Sequence, residues 1–179
     1  MVDAADGPGG PGGNADVDAI AAFVRALATS PWPRDAAEAE RMLADRGAHP
    51  TGEVDAWSPA SARHALSGGP DAVAHLSYAT HAGEVTSVGC VLARHGGPHD
   101  PAVRRDHDDL VAALTAAFGA SRRPFDDQPS PILWDVGELE VGVQVFDRVD
   151  SSVMAWVDHR ERAARQERAA GEPGGAEPA

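Results

Sequence analysis

The feature that most constrains this chain is a series of closely spaced, alternating segments toward its C-terminal end. Apolar residues take every second position along three segments, 132–136, 139–146 and 152–157. Alternation of this kind is typical of half-buried β-strands. The connections at 137–138 and 147–151 are too short for a crossover, so the sequence predicts an antiparallel meander.

The remaining periodic segments predict a mixed fold. Helical spacing of apolar residues predicts helices over 16–29, 35–46 and 102–118, and two further strands are predicted over 73–80 and 85–93. Residues 48–71 are polar and rich in Gly, Pro and Ser, which predicts a long connection. The predicted fold class is α+β, an antiparallel sheet of about five strands with helices packed on one face, in the order α-α-β-β-α-β-β-β-α.

The length of the chain suits one folded unit. We expect a single α+β domain over residues 16–158, followed by an arginine-rich C-terminal helix over 159–170. The two ends, residues 1–15 and 171–179, are rich in Gly and Pro and poor in apolar residues. This composition predicts disordered tails.

Charge narrows the classes of partner. The chain has 28 acidic against 15 basic residues and a formal net charge of −13. Because such a charge repels phosphate groups and anionic lipid, we expect neither a nucleic-acid nor a membrane partner. It favours a basic protein partner. A lone cysteine, Cys90, and the lack of a signal peptide or long apolar run predict a cytoplasmic protein.

Three histidines are the candidate metal ligands. His95 and His99 lie in a Gly-Gly-Pro loop, and His107 follows among aspartates. Imidazole and carboxylate groups at such spacings can bind a divalent cation. The alternative interpretation is structural, since Asp100 ahead of Pro101 is a typical helix N-cap and acidic residues favour a helix's first turns.

No motif in the sequence predicts a catalytic site or a cofactor. Cys90 lies in the apolar run 88–92, where a small buried residue is expected. No Gly-x-Ser-x-Gly elbow, phosphate-binding loop or dinucleotide fingerprint occurs. We therefore predict no catalytic residues and no cofactor.

The last two strands place three large apolar residues on the opposite parity from the core positions. These residues are Phe146, Met154 and Trp156. If they share the sheet's far face, they form an apolar stripe that no obvious helix covers. The C-terminal helix, residues 48–71 or a partner would have to cover it. The stripe is therefore the predicted binding site.

The string from Asp109 to Val157 resembles a group of small actinobacterial α+β proteins of unknown function. The similarity rests on the helix Leu-Val-Ala-Ala-Leu-Thr-Ala-Ala-Phe-Gly at 110–119, a Pro-rich loop, Leu-Trp-Asp-Val at 133–136 and two strands. The opening helix–Trp–helix around Trp32 is similar too. The resemblance implies a fold but transfers no site. Some such proteins look like immunity partners of secreted toxins.

Three functions remain open at this point. The first is a non-catalytic protein that binds a basic protein partner, in the manner of an immunity protein or chaperone. The second is a metal-dependent hydrolase that uses His95, His99 and His107. The third is a structural homodimer that buries the apolar stripe.

Overall fold

A computed structural model of the chain describes residues 15–126 and 130–171. Within them the helices are α1 (Ala15–Ala28), α2 (Ala36–Ala44), α3 (Pro101–Phe118) and α4 (Arg160–Gly171). The strands are β1 (Ala48–Ser58), β2 (Ser61–Gly68), β3 (Val73–His81), β4 (Glu84–Leu92), β5 (Ile132–Val136), β6 (Leu139–Phe146) and β7 (Ser152–His159). The predicted tails lie outside the described residues, apart from Ala15 and Gly171.

All strands of the described chain form one antiparallel sheet, in the order β1-β2-β3-β4-β7-β6-β5. The predicted α+β class and the antiparallel meander are therefore confirmed. None of the described helices has the length and apolar content that crossing a bilayer requires. The two late strands β6 and β7 lie inside the sheet, and β7 joins them to the early strands through β4.

The prediction of about five strands is wrong, because the described sheet has seven. The predicted connection over residues 48–71 is mostly the hairpin β1–β2. In β1 only Ala48 is buried, and every other residue of the strand is exposed. A strand with so little burial shows no alternation of apolar residues, since its stability comes from pairing with a neighbour. The order of elements is α-α-β-β-β-β-α-β-β-β-α.

One face of the sheet carries the hydrophobic core. The apolar positions of α1 and α3, including Ile20, Leu110 and Leu114, are fully buried against inward-facing residues of the strands. Trp134 and Val141 lie in the same cluster. Helix α2 joins this face through Leu43 and through Glu40, whose carboxylate accepts a hydrogen bond of 2.9 Å from the hydroxyl of Tyr78 on β3.

Helix α4 departs from the prediction that the helices share one face. It contacts β4 and β7, and its Gln166 borders the opposite face of the sheet. No residue of α4 is buried. Arg162 fastens the helix to the backbone by donating to the carbonyl oxygens of Pro33, at 2.8 Å, and Val85, at 3.2 Å. Polar contacts, and not an apolar stripe, therefore hold this helix in place.

The junction between α2 and the β1–β2 hairpin gives a testable prediction. Gly68 has a φ of +81°, and a Cβ there would overlap the carbonyl oxygen of Gly47. Gly52 has a similar φ of +83° but open space around it. We expect Gly52→Ala to lower the free energy of unfolding by about 1 kcal/mol through backbone strain alone. Gly68→Ala should cost about 2 kcal/mol more, because backbone must move.

Urea denaturation of the two variants measures this difference. Equal losses of stability for Gly52→Ala and Gly68→Ala would show that the hairpin does not pack against residue 47 in this way.

Candidate binding cleft

The face of the sheet opposite the core holds a cleft of about 920 Å³. Residues from β1, β2, β3, β4 and β7 line it, together with Gln166 of α4. Its floor consists of small residues such as Ser77, Ala79 and Gly89, whereas Trp57 and Trp156 lie at its margins. Small residues across the central strands, with large residues beyond them, produce the concave shape.

The antiparallel register arranges this face in rows that cross the strands. The acidic row is Ser87 on β4, Asp158 on β7 and Glu140 on β6. The tryptophan row is Gly89, Trp156 and Gly142, and the methionine row is Val91, Met154 and Gln144, in the same strand order. Directly paired residues of an antiparallel sheet share a face, so each row is a set of side-chain neighbours.

Trp156 lies against bare backbone. A Cβ on Gly142 would overlap its indole ring, whereas a Cβ on Gly89 would come no closer than 3.6 Å to the Trp156 Cβ. The absence of a side chain at position 142 thus lets the ring lean over β6. Glycine inside a strand often marks such a close approach. Trp156 thus packs on Gly142 of β6 and also lines the cleft.

The register places the three residues of the predicted apolar stripe on this one face. Met154 and Trp156 are half-buried and line the cleft. Phe146 is paired with Ser152, diagonal to Met154, and is 41% exposed. It borders a separate hollow with Val149 at the turn between β6 and β7. Both segments expected to cover the stripe, the β1–β2 hairpin and α4, border the cleft without filling it.

The far end of the cleft is formed by a pair that the sequence analysis missed. The guanidinium carbon of Arg63 on β2 lies 5.8 Å from the ring centroid of Trp57 on β1, a cation–π contact. Both side chains line the cleft. They were missed because residues 48–71 were expected to form a loop, where the relative facing of two residues cannot be deduced.

Asp158 is an acidic residue of the cleft whose pKa is strongly shifted. Its pKa is raised from 3.8 to about 6, mainly by burial and in part by the negative charges of Glu140 and Glu167. Hydrogen bonds from Ser87 and Trp156 oppose this shift. A perturbed carboxyl group inside a cleft is a common mark of a functional site. The signal was present in the sequence, since Asp158 extends the alternation of Met154 and Trp156 by one step.

The candidate metal ligands lie in separate surroundings. His107 is buried, with Nδ1 2.8 Å from Oδ1 of Asp108, and His95 is exposed. His99 is also exposed, with Nδ1 3.5 Å from Oδ2 of Asp147. Within residues 15–126 and 130–171, no group of three or more His, Cys, Asp or Glu side chains is placed to hold a metal ion.

The structural interpretation of that segment agrees with the hydrogen bonds. The Asp100 carboxylate accepts from the backbone N–H of Ala102, at 2.7 Å, and of Val103, at 3.4 Å, as the N-cap of α3. Asp106, farther along the helix, pairs with Arg94. Asp100 therefore caps the N-terminus of α3, and Asp106 links the helix to Arg94.

The possible nucleophiles are held in structural positions. Cys90 is fully buried on the core side, and burial raises the pKa of its thiol to about 12, which keeps it protonated. Ser61 Oγ lies 2.8 Å from Nδ1 of His81, a spacing that resembles a nucleophile and its base. Ser61 is buried, however, and neither residue lines the cleft. This pair ties the β1–β2 turn to β3.

Comparison with known proteins yields no relatives: no family model matches the chain, and no curated protein or solved structure is significantly similar to it.

The seat of Trp156 can be tested by substitution. Gly142→Ala should displace the indole ring and lower the free energy of unfolding by about 1–3 kcal/mol, because the new methyl group takes the ring's place. Gly89→Ala is the matched control on the other side of the same residue and introduces only ordinary contact. The NMR resonance of the Trp156 indole N–H, assigned with Trp156→Phe, should shift in Gly142→Ala and remain unchanged in Gly89→Ala. Unchanged resonances in both would contradict this geometry.

Because the pKa of Asp158 is raised in the folded protein, we expect its contribution to the free energy of unfolding to decrease as pH rises. The folded protein binds this proton more tightly than the unfolded chain, so the contribution of Asp158 to stability is lost as pH rises from about 4 to 6. Asp158→Asn should therefore be more stable than the wild type at pH 7.5, by about 1–2 kcal/mol. The gap should narrow at pH 5.

Urea denaturation at the two pH values measures this effect, with exposed Asp71→Asn as a control of equal charge change. A variant at position 158 that is less stable than the wild type at pH 7.5 would show that the carboxylate is favourably placed.

Proposed function

We propose that this protein is a non-catalytic binding protein that captures an extended segment of a basic protein partner in the cleft, as an immunity protein or chaperone does. The observation that carries the proposal is an open cleft whose floor consists of small residues and which ends in Asp158, a carboxylate that none of the described ion pairs includes. Concave, mostly apolar surfaces with a few convergent polar groups are the usual form of binding sites.

The aromatic margins supply the affinity in this proposal. Trp57 is 45% exposed, and Trp156 and Met154 are half-buried. Tryptophan is a typical anchor of protein interfaces, since it buries a large area at little cost in conformational entropy, and the flexible methionine side chain adapts to irregular surfaces. A partner's apolar side chains would cover them and the small residues between them.

The acidic charge of the chain supports a basic partner. A net charge of −13 attracts a positively charged protein over several ångströms of solvent and raises the rate of association. The attraction is screened by salt, because the range of the field in physiological salt is only about 8 Å. Charge would therefore determine the rate of association, and aromatic contacts would determine the lifetime of the complex.

The edges of the sheet are less suitable for a partner than its face. The register of β1 shifts between Pro50 and Val54 and again between Ala56 and Ser58. On the other side of the sheet, Leu133 of β5 pairs with Arg122 of the preceding loop. Bulges and covering segments are the devices that keep edge strands from pairing with other chains. An incoming segment is thus directed to the open face.

A display library of random 12-residue peptides tests the proposed function. The wild-type protein should enrich peptides that combine Arg or Lys with apolar residues, and their affinity should fall as salt is raised. Trp57→Ala should weaken binding about tenfold. Phe125→Ala, which removes a 64% exposed aromatic side chain outside the cleft, should leave binding unchanged. Enrichment of acidic peptides, or equal losses in both variants, would overturn the proposal.

A further inference from the structure

The acidic row ends the cleft with a carboxylate that the chain itself does not neutralise. Glu140 is paired with Arg122, and Asp135, its partner on β5, is paired with Arg122 and Arg160. Among the described ion pairs, none involves Asp158. Arg122 and Arg160 thus form ion pairs with Glu140 and Asp135, and neither forms one with Asp158.

The two charged neighbours that act on Asp158 are both acidic. Glu140 faces it from β6 and Glu167 from α4, and the charges of both act on its carboxyl group. Ser87 on β4 and the indole of Trp156 complete the surroundings as neutral hydrogen-bond donors. Like charges directly opposite in a sheet are destabilising. A cation at this place would relieve that repulsion.

The ring of Trp156 makes the site suitable for an alkyl cation. The ring lies in the row next to Asp158, seated on Gly142, and both Trp156 and Asp158 line the cleft. A guanidinium or ammonium group can pack on an indole face and contact a carboxylate at once, while its methylene groups cover the ring. The Arg63–Trp57 contact at the other end of the cleft shows the same pairing within this chain.

We propose that Trp156 and Asp158, with Ser87 beside them, form a subsite for one arginine or lysine side chain of the bound segment. The inference rests on the proposed function, because it assigns the basic residue of the partner to a defined place in the cleft. A bare metal ion is disfavoured, since no described group of side chains is placed to hold one. An organic cation requires only the carboxylate, the ring and room for its stem.

The subsite couples binding to a proton. Asp158, facing Glu140 and Glu167, is protonated in part near pH 6 in the empty cleft. A bound cation favours the ionised carboxylate, so occupancy releases the proton. Affinity for the cation should therefore rise severalfold between pH 5 and pH 7.5, as the proton ceases to compete.

The probe for this subsite is N-acetyl-arginine amide, added to the full chain up to about 100 mM because a single side chain binds weakly. It should shift the Trp156 indole N–H resonance, and affinity should increase with pH. N-acetyl-citrulline amide, which has nearly the same shape without the charge, should give no saturable shift. Asp158→Asn should weaken binding of the arginine probe at least fivefold, whereas Asp71→Asn, with the same change in net charge, should not.

The outcomes separate the subsite from the proposed function. Equal binding of arginine and citrulline probes, or equal affinity in Asp158→Asn and the wild type, overturns the subsite. No shift with the arginine probe overturns it as well. If selected basic peptides still depend on Trp57 in that case, the proposed function stands and the cation binds elsewhere. If they do not, both proposals fall.

Discussion

The pairing of β7 with β4 on one side and β6 on the other determines most of what this molecule presents to solvent. It brings the early hairpins and the late meander into one sheet, and it sends Val153, Ala155 and Val157 to the core. The same register sends Met154, Trp156 and Asp158 to the open face. A slip of one residue would exchange these two sets, so burial of the valines and the chemistry of the cleft are fixed by one constraint.

The sequence predicted the helices and strands that bury one face, and it failed for the strands that bury almost nothing. Helices α1 and α3 and strands β3 to β7 have a buried face, and their periodicity reveals it. Strand β1 buries only Ala48, and β2 buries only Ser61 and Leu66, so their residues resemble a polar connection. For the same reason Trp57 and Arg63, at one end of the cleft, could not be assigned to a face from sequence.

The open face itself was foreseen only in part. Parity alone grouped Phe146, Met154 and Trp156, yet it could not show that Phe146 stands apart, beside Val149 at a turn. Asp158 lay beyond the predicted strand 152–157, because polar strings after strands usually begin helices. The strand instead continues to His159, and this extension places the carboxylate of Asp158 on the same face as the indole of Trp156. End positions of strands depend on pairing partners, which a single sequence does not reveal.

The irregular course of β1 has a consequence for the behaviour of the chain at high concentration. A seven-stranded sheet with one open face would ordinarily be prone to grow into fibrils by adding strands to its outermost strand. The displaced residues between Pro50 and Val54 interrupt the ladder of amide groups that such growth requires. The molecule can therefore keep tryptophans accessible to solvent without acting as a template for copies of itself.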